Sequence, residues 1–176
     1  MPDIYVPINY SDMISMIPPG EDIIYSTLCK SAISKHYGNK ITTWKWTCHA
    51  LMTSEGVAYT SRGIKIYKPW ANIKSILSAG RFGIGFITKV SDFALVREKN
   101  FESKEDFKKR SREFVGKFRP LLIEKKEEWL KLNGNNPEIN KREIKFVENT
   151  LKDMIKKEQK RIAKEEKKKI KLVESA

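Results

Sequence analysis

Residues 44–76 read W-K-W-T-C-H-A-L-M-T-S-E-G-V-A-Y-T-S-R-G-I-K-I-Y-K-P-W-A-N-I-K-S-I. Trp44, Trp46, Cys48, Ala50 and Met52 share one side of a period-2 pattern. Lys45, Thr47, His49 and Thr53 share the other, and Leu51 is the exception. Successive side chains of a strand point to opposite faces, so this alternation predicts a half-buried strand. Ser54-Glu55-Gly56 is a tight-turn signal, and Val57-Ala58-Tyr59-Thr60 resumes extended character. Arg62-Gly63 breaks the chain again before Ile64, Ile66 and Tyr67 start another run, expected to continue to about Leu77. Loops this short force neighbouring strands to pair, which predicts one curled antiparallel sheet.

The flanking segments extend that sheet. Residues 22–33 alternate Ile24, Ser26, Leu28 and Lys30 with Ile23, Tyr25, Thr27 and Cys29, as a first strand would. Residues 34–40 form the loop to the Trp44 strand. Before it, residues 1–20 are an N-terminal arm, with one helical turn at residues 13–17 stopped by Pro18-Pro19-Gly20. After it, Gly80, Gly83 and Gly85 sit among large apolar residues. No helical pattern follows them, so they mark a bulge or bend in a tightly curved strand rather than a nucleotide fingerprint. Residues 87–90 are strand-like, and residues 92–97 make the last hairpin arm.

From Ser103 the period changes. Ser103-x-x-Asp106 resembles a capping box, and Phe107, Ser111, Phe114 and Phe118 lie on one helical stripe continued by Leu121, Leu122 and Trp129. Pro120 removes a backbone donor inside this run and crowds the carbonyl of Gly116. Two outcomes fit: a kinked helix, or two helices meeting near Arg119. Residues 132–137, L-N-G-N-N-P, stop the helix. A last helix starts at Pro137 or Lys141 and runs to about Val173, with a frayed end. The expected organisation is therefore an arm at 1–20, a domain at 21–132, a linker at 133–140 and a basic helical extension at 141–176.

Three of these segments carry a family resemblance. Residues 18–26, P-P-G-E-D-I-I-Y-S, resemble the "P-x-G-E-x-I-L-Y-S" start of the first strand in GRAM and bacterial-type pleckstrin-homology (PH-like) domains. Residues 52–61, M-T-S-E-G-V-A-Y-T-S, resemble that family's "L-T-x-x-R-L-I-F-T-S" hairpin. Residues 67–76, Y-K-P-W-A-N-I-K-S-I, resemble its "I-P-[LY]-x-D-I-x-S-I" strand. The matches come in the family's order and span residues 18 to about 130. The resemblance implies an α+β fold: a small antiparallel PH-like β-barrel capped by an α-helix, here followed by a basic C-terminal helix. The family's basic turn is replaced by Ser54-Glu55-Gly56.

Charge narrows the partners. The 176 residues carry a formal charge of +13, so acidic partners are expected. Residues 141–176 hold 13 Lys/Arg against 7 Asp/Glu. Cys29 and Cys48 are the only cysteines, and no basic leader or long apolar run accompanies them. The expectation is a cytosolic protein, peripheral at the membrane, whose cysteines stay reduced and buried rather than paired.

No catalytic constellation emerges. Cys48 and His49 are adjacent and would point to opposite faces of a strand, and His36 falls in a basic loop. Glu127-Glu128 and Glu165-Glu166 read as solvated helix-surface pairs. No cofactor or metal is expected, and the protein is read as a binding module and not an enzyme. Lys30, Lys35, Lys40 and Lys45 stand near the positions where inositol-phosphate-binding members of the resembled family carry basic residues. An ordinary solvated loop is the favoured reading of these lysines, and without Arg there is no bidentate phosphate recognition. The second candidate is the basic tail Lys160, Arg161, Lys164, Lys167, Lys168 and Lys169, which suits an anionic membrane surface, a nucleic acid or a partner helix. Ile144, Val147, Leu151 and Ile155 form a stripe for packing on the domain, on a protein partner or on a second copy. Trp44, Trp46 and Trp70 are expected in core or interface. The expected function is an adaptor that docks on a protein partner or an anionic membrane surface; the alternative is nucleic-acid association through the tail.

Overall fold

Among the described residues, seven strands follow one another before any long helix. They are β1 (Ile23–Lys35), β2 (Trp46–Thr53), β3 (Gly56–Ser61), β4 (Ile64–Pro69), β5 (Ile73–Leu77), β6 (Arg81–Gly85) and β7 (Lys89–Leu95). Two helices complete the chain, α1 (Lys104–Asn133) and α2 (Lys141–Glu174). The structure is a computed structural model that describes residues 14–35, 46–61, 64–85, 89–98 and 100–175. His36, Lys40, Trp44, Lys45 and most of the N-terminal arm lie outside the described residues.

All strand pairings are antiparallel, in the order β4-β3-β2-β1-β7-β6-β5. Consecutive strands β4 and β5 therefore occupy opposite edges, yet only Trp70–Asn72 separates them. A connection this short reaches at most about 15 Å, whereas a flat seven-stranded sheet spans roughly 29 Å. The sheet must roll until its edges approach, and the result is a PH-like half-barrel with helices against its open side. The fourth strand expected to run on to Leu77 is corrected here. It breaks at Pro69, which has no N–H to continue the ladder, and a 3₁₀ turn carries the chain across the seam.

The period-2 pattern of β2 is found over residues 48–52, whereas Thr53, read on the polar side, is buried. Cys48, Ala50 and Met52 point into the main core with Tyr59, Ile84 and Phe93. The exceptional Leu51 is buried on the other face, where Ala58, Met16, Ile17 and Tyr67 cover it. The turn before β1 is thus a lid for an apolar residue that would otherwise face water. The three segments that resemble the PH-like family meet at one carboxylate. Glu21 accepts from Thr53 Oγ1 at 2.8 Å and from Tyr67 Oη at 2.5 Å. Thr53 Oγ1 in turn accepts the Glu55 and Gly56 N–H groups and shapes the β2–β3 turn.

α1 plugs the half-barrel. Ser103 caps it by accepting from the Asp106 N–H at 3.0 Å. Phe114, Phe118 and Leu122 are buried, and Phe118 stacks on Trp70 with ring centroids 5.5 Å apart. Trp70 also donates its Nε1–H to the Thr53 carbonyl at 2.9 Å. Arg110 ties the start of α1 to the sheet through Glu102, the Val96 carbonyl and Tyr25. Of the two outcomes expected at Pro120, the pair of helices does not occur: α1 is one element through Pro120 to Asn133.

α2 is capped by Asn140 and packs on α1 and β5 through Val147, Thr150 and Met154. These residues recur at helical spacing, so the stripe containing Val147 is used within the molecule. Ile144, Leu151 and Ile155 are half-buried at its flank. Beyond Arg161 every described residue of α2 is exposed, and the tail expected to fray is helical to Glu174.

Candidate functional site

The seam between α1 and α2 changes character along its length. It is apolar at Val147 and Met154, but the same face of α2 then presents Glu158, Arg161, Glu165 and Lys168. Opposite Arg161, α1 has Gly116, where an added Cβ would come no nearer than 3.5 Å to the guanidinium. Charged side chains keep their water, so the helices do not close on each other here. A groove of about 950 Å³ results, with Leu77, Ser78 and Arg81 at its base.

The groove is strongly basic. α1 contributes Lys109, Arg112 and Arg119, α2 contributes Lys157, Lys160, Arg161, Lys164 and Lys168, and β6 contributes Arg81. Glu113 and Glu165 are the lining carboxylates. Three of the cations are held by partners. Arg119 is buried and donates Nε–H to the Ile76 carbonyl at 2.9 Å, with Glu158 3.9 Å from its Nη1. Burial pulls the Arg119 guanidinium below its ordinary range, and the Glu158 carboxylate opposes that pull. Arg161 donates to Glu158 and, at 3.0 Å, to Glu165, and the hydrogen bond to Glu158 is the main reason its pKa is raised. Lys157 pairs with Asp153 at 3.2 Å. Arg81, Lys109, Arg112, Lys160, Lys164 and Lys168 have no carboxylate within ion-pair distance among the described residues. A concave surface with a large excess of positive charge, here nine cations against Glu113 and Glu165, concentrates counter-ions. That is chemistry for holding an anion.

Of the tail residues expected to matter, Lys160, Arg161, Lys164 and Lys168 line the groove, whereas Lys167 and Lys169 do not. Lys30 is exposed on β1, with Thr47 and Ala94 as register partners. Lys35 ends β1 opposite Lys89, and Lys40 and Lys45 lie outside the described residues. The α1 wall was missed in the sequence, although Lys109, Arg112, Gly116 and Arg119 recur at spacings of three and four and so share one helical face.

A second buried cation lies deeper in the helix pair. Lys126 is fully buried and donates to the Ala71 carbonyl and to Thr150 Oγ1, both at 2.9 Å, with its Nζ 5.3 Å from the Phe146 ring centroid. Burial alone depresses it to about 7. Together Arg119 and Lys126 satisfy backbone carbonyls on the open side of β5 and the turn before it. The Ile76 N–H meets Met154 Sδ at 3.3 Å. Edge strands leave such groups without a ladder partner, and here helix side chains supply them.

Among the described residues, no cluster of three or more His, Cys, Asp or Glu is placed to hold a metal ion, and no helix is long and apolar enough to cross a membrane. Comparison with known proteins finds no matching family model, curated protein or solved structure.

Proposed function

We propose that this chain is a non-catalytic binding module, allied to the GRAM and bacterial-type PH-like domains it resembles, that docks on an anionic membrane surface. The observation that carries this reading is the convergence on one groove of six cations from α1, α2 and β6 that have no ion-pair partner among the described residues. The exposed end of α2 supports a membrane over other acidic partners. Ile170, Leu172 and Val173 stand exposed beside Lys167, Lys168, Lys169 and Lys171. Charges with apolar side chains next to them suit a surface whose headgroups overlie hydrocarbon. A single-stranded nucleic acid would instead favour aromatic stacking platforms, and the described residues lining the groove include no aromatic one.

Co-sedimentation with phosphatidylserine vesicles, beside phosphatidylcholine vesicles, tests the reading. The protein should pellet with the former at low salt and be released at 1 M salt, where the Debye length falls to about 3 Å. Equal and negligible pelleting with both would refute membrane docking and leave a protein partner as the occupant of the basic face.

A further inference from the structure

The groove has features that a diffuse basic surface lacks. Lys109 and Arg112 face it from α1, Lys164 and Lys168 from α2. Like charges on opposite walls repel, and no described carboxylate is within ion-pair distance of these four, although Glu113 and Glu165 share the lining. At the back, Arg119 is fixed by the Ile76 carbonyl and Arg161 by Glu158 and Glu165, so their positions are set before any ligand arrives. Among the described lining residues, Leu77 and Val115 are the aliphatic side chains, and charged residues make up most of the rest. A monovalent carboxylate could satisfy one wall at a time. A phosphate group carries up to two charges and three acceptor oxygens, and two such groups reach both walls.

We propose that the groove between α1 and α2 is a binding site for a ligand bearing two or more phosphate groups, bridging Lys109 and Arg112 to Lys164 and Lys168. This deepens the anionic-surface reading and rests on the same groove. The phosphates come from a phosphorylated lipid headgroup or from a free polyphosphate. Bridging replaces repulsion between the walls by attraction, so the ligand holds the exposed end of α2 against α1. Binding only the folded state, it stabilises the protein by mass action.

The experiment uses inorganic tripolyphosphate and the full chain. Calorimetry should show one site, and hydrogen exchange should show added protection over residues 158–172. The paired substitutions Lys109→Gln with Arg112→Gln, and Lys164→Gln with Lys168→Gln, should each weaken binding by at least about tenfold. Neither pair should lower the melting temperature without ligand, because each removes repulsion. Tripolyphosphate that binds no more tightly than sulfate at matched ionic strength, or that ignores both pairs of substitutions, would overturn the proposal. So would a single-stranded oligonucleotide that binds more tightly than tripolyphosphate. Vesicles separate the two sources. Preference for phosphatidic acid over phosphatidylserine at equal surface charge, with release by tripolyphosphate, identifies the headgroup. Tripolyphosphate binding without vesicle binding supports the phosphate site with a free ligand and refutes membrane docking. Vesicle binding that tripolyphosphate does not affect refutes the phosphate site and leaves membrane docking standing.

Discussion

Lys126 donates an Nζ–H to Thr150 Oγ1 at 2.9 Å from a position with no solvent exposure, and so joins α1 to α2 inside the protein. Its remaining partners are the Ala71 carbonyl and the Phe146 ring, and no charged group contributes to its depressed pKa. The lysine therefore titrates in the folded state near pH 7, against about 10.4 in an unfolded chain. Below pH 7 both states hold the proton, and this group gives stability no pH dependence. Above it the unfolded chain alone holds the proton, so stability rises with pH.

Denaturant titrations at pH 7 and pH 8.5 should show that rise, roughly 1.5 kcal/mol from this group. Lys126→Met should abolish it while leaving the protein folded, since an apolar isostere removes a buried charge without leaving a void. An unchanged slope in the variant would refute the assignment.

Glu158 opposes the desolvation of Arg119 and holds Arg161, so its removal should act in two directions. Glu158→Gln leaves the buried Arg119 without its carboxylate and should cost about 3 kcal/mol, read from the denaturation midpoint. The same change removes one of the two carboxylates that hold Arg161 and lowers the negative charge beside the groove, so affinity for tripolyphosphate should increase. A variant that loses both stability and affinity would show that Glu158 only shapes the groove.

Two glycines should respond oppositely to alanine. At Gly116, inside α1, the added Cβ meets only ordinary van der Waals contact with Arg161, and helix propensity should stabilise Gly116→Ala by about 1 kcal/mol. At Gly56, the Cβ would lie 2.6 Å from the Lys68 carbonyl and 2.5 Å from Tyr67 Oη. Gly56→Ala should lower stability by about 1–3 kcal/mol, because the backbone of β4 must move. Thermal melts of the two variants check both signs.

Cys29 and Cys48 are register partners on β1 and β2, and both thiols are free and buried. The hydrogen bond with Cys48, and then burial, push the Cys29 thiol well above its ordinary value. Alkylation by iodoacetamide at pH 8 should be at least about a hundredfold slower in the native protein than in denaturant, since it waits for opening. Two rapid adducts in a native mass spectrum would contradict this packing.

Much of the architecture was legible in local patterns. Alternation in residues 48–52, the turn at residues 54–56 and the stripe of Phe114, Phe118 and Leu122 each reflect a period set by backbone geometry, and each is found as read. The break at Pro69 was not read as an end to the strand. A proline can sit within or at the end of an edge strand, and only the return of β5 to the far side of the sheet makes it a corner.

Half of the groove was legible too, because Lys160, Arg161, Lys164 and Lys168 stand out as a basic run on a helix. Its other wall was not, since Lys109 and Arg112 look like any solvated helix face until α2 folds back beside them. The same holds for Arg119 and Lys126. A charged residue in a helix carries no local mark of burial. Its environment is set by which backbone carbonyls lack a ladder partner across the open seam of the sheet. Those carbonyls, of Ala71 and Ile76, lie 55 and 43 residues away in the chain. Propensity and period act over a few residues, whereas desolvation and charge pairing depend on distance in space, which the sequence pattern does not encode.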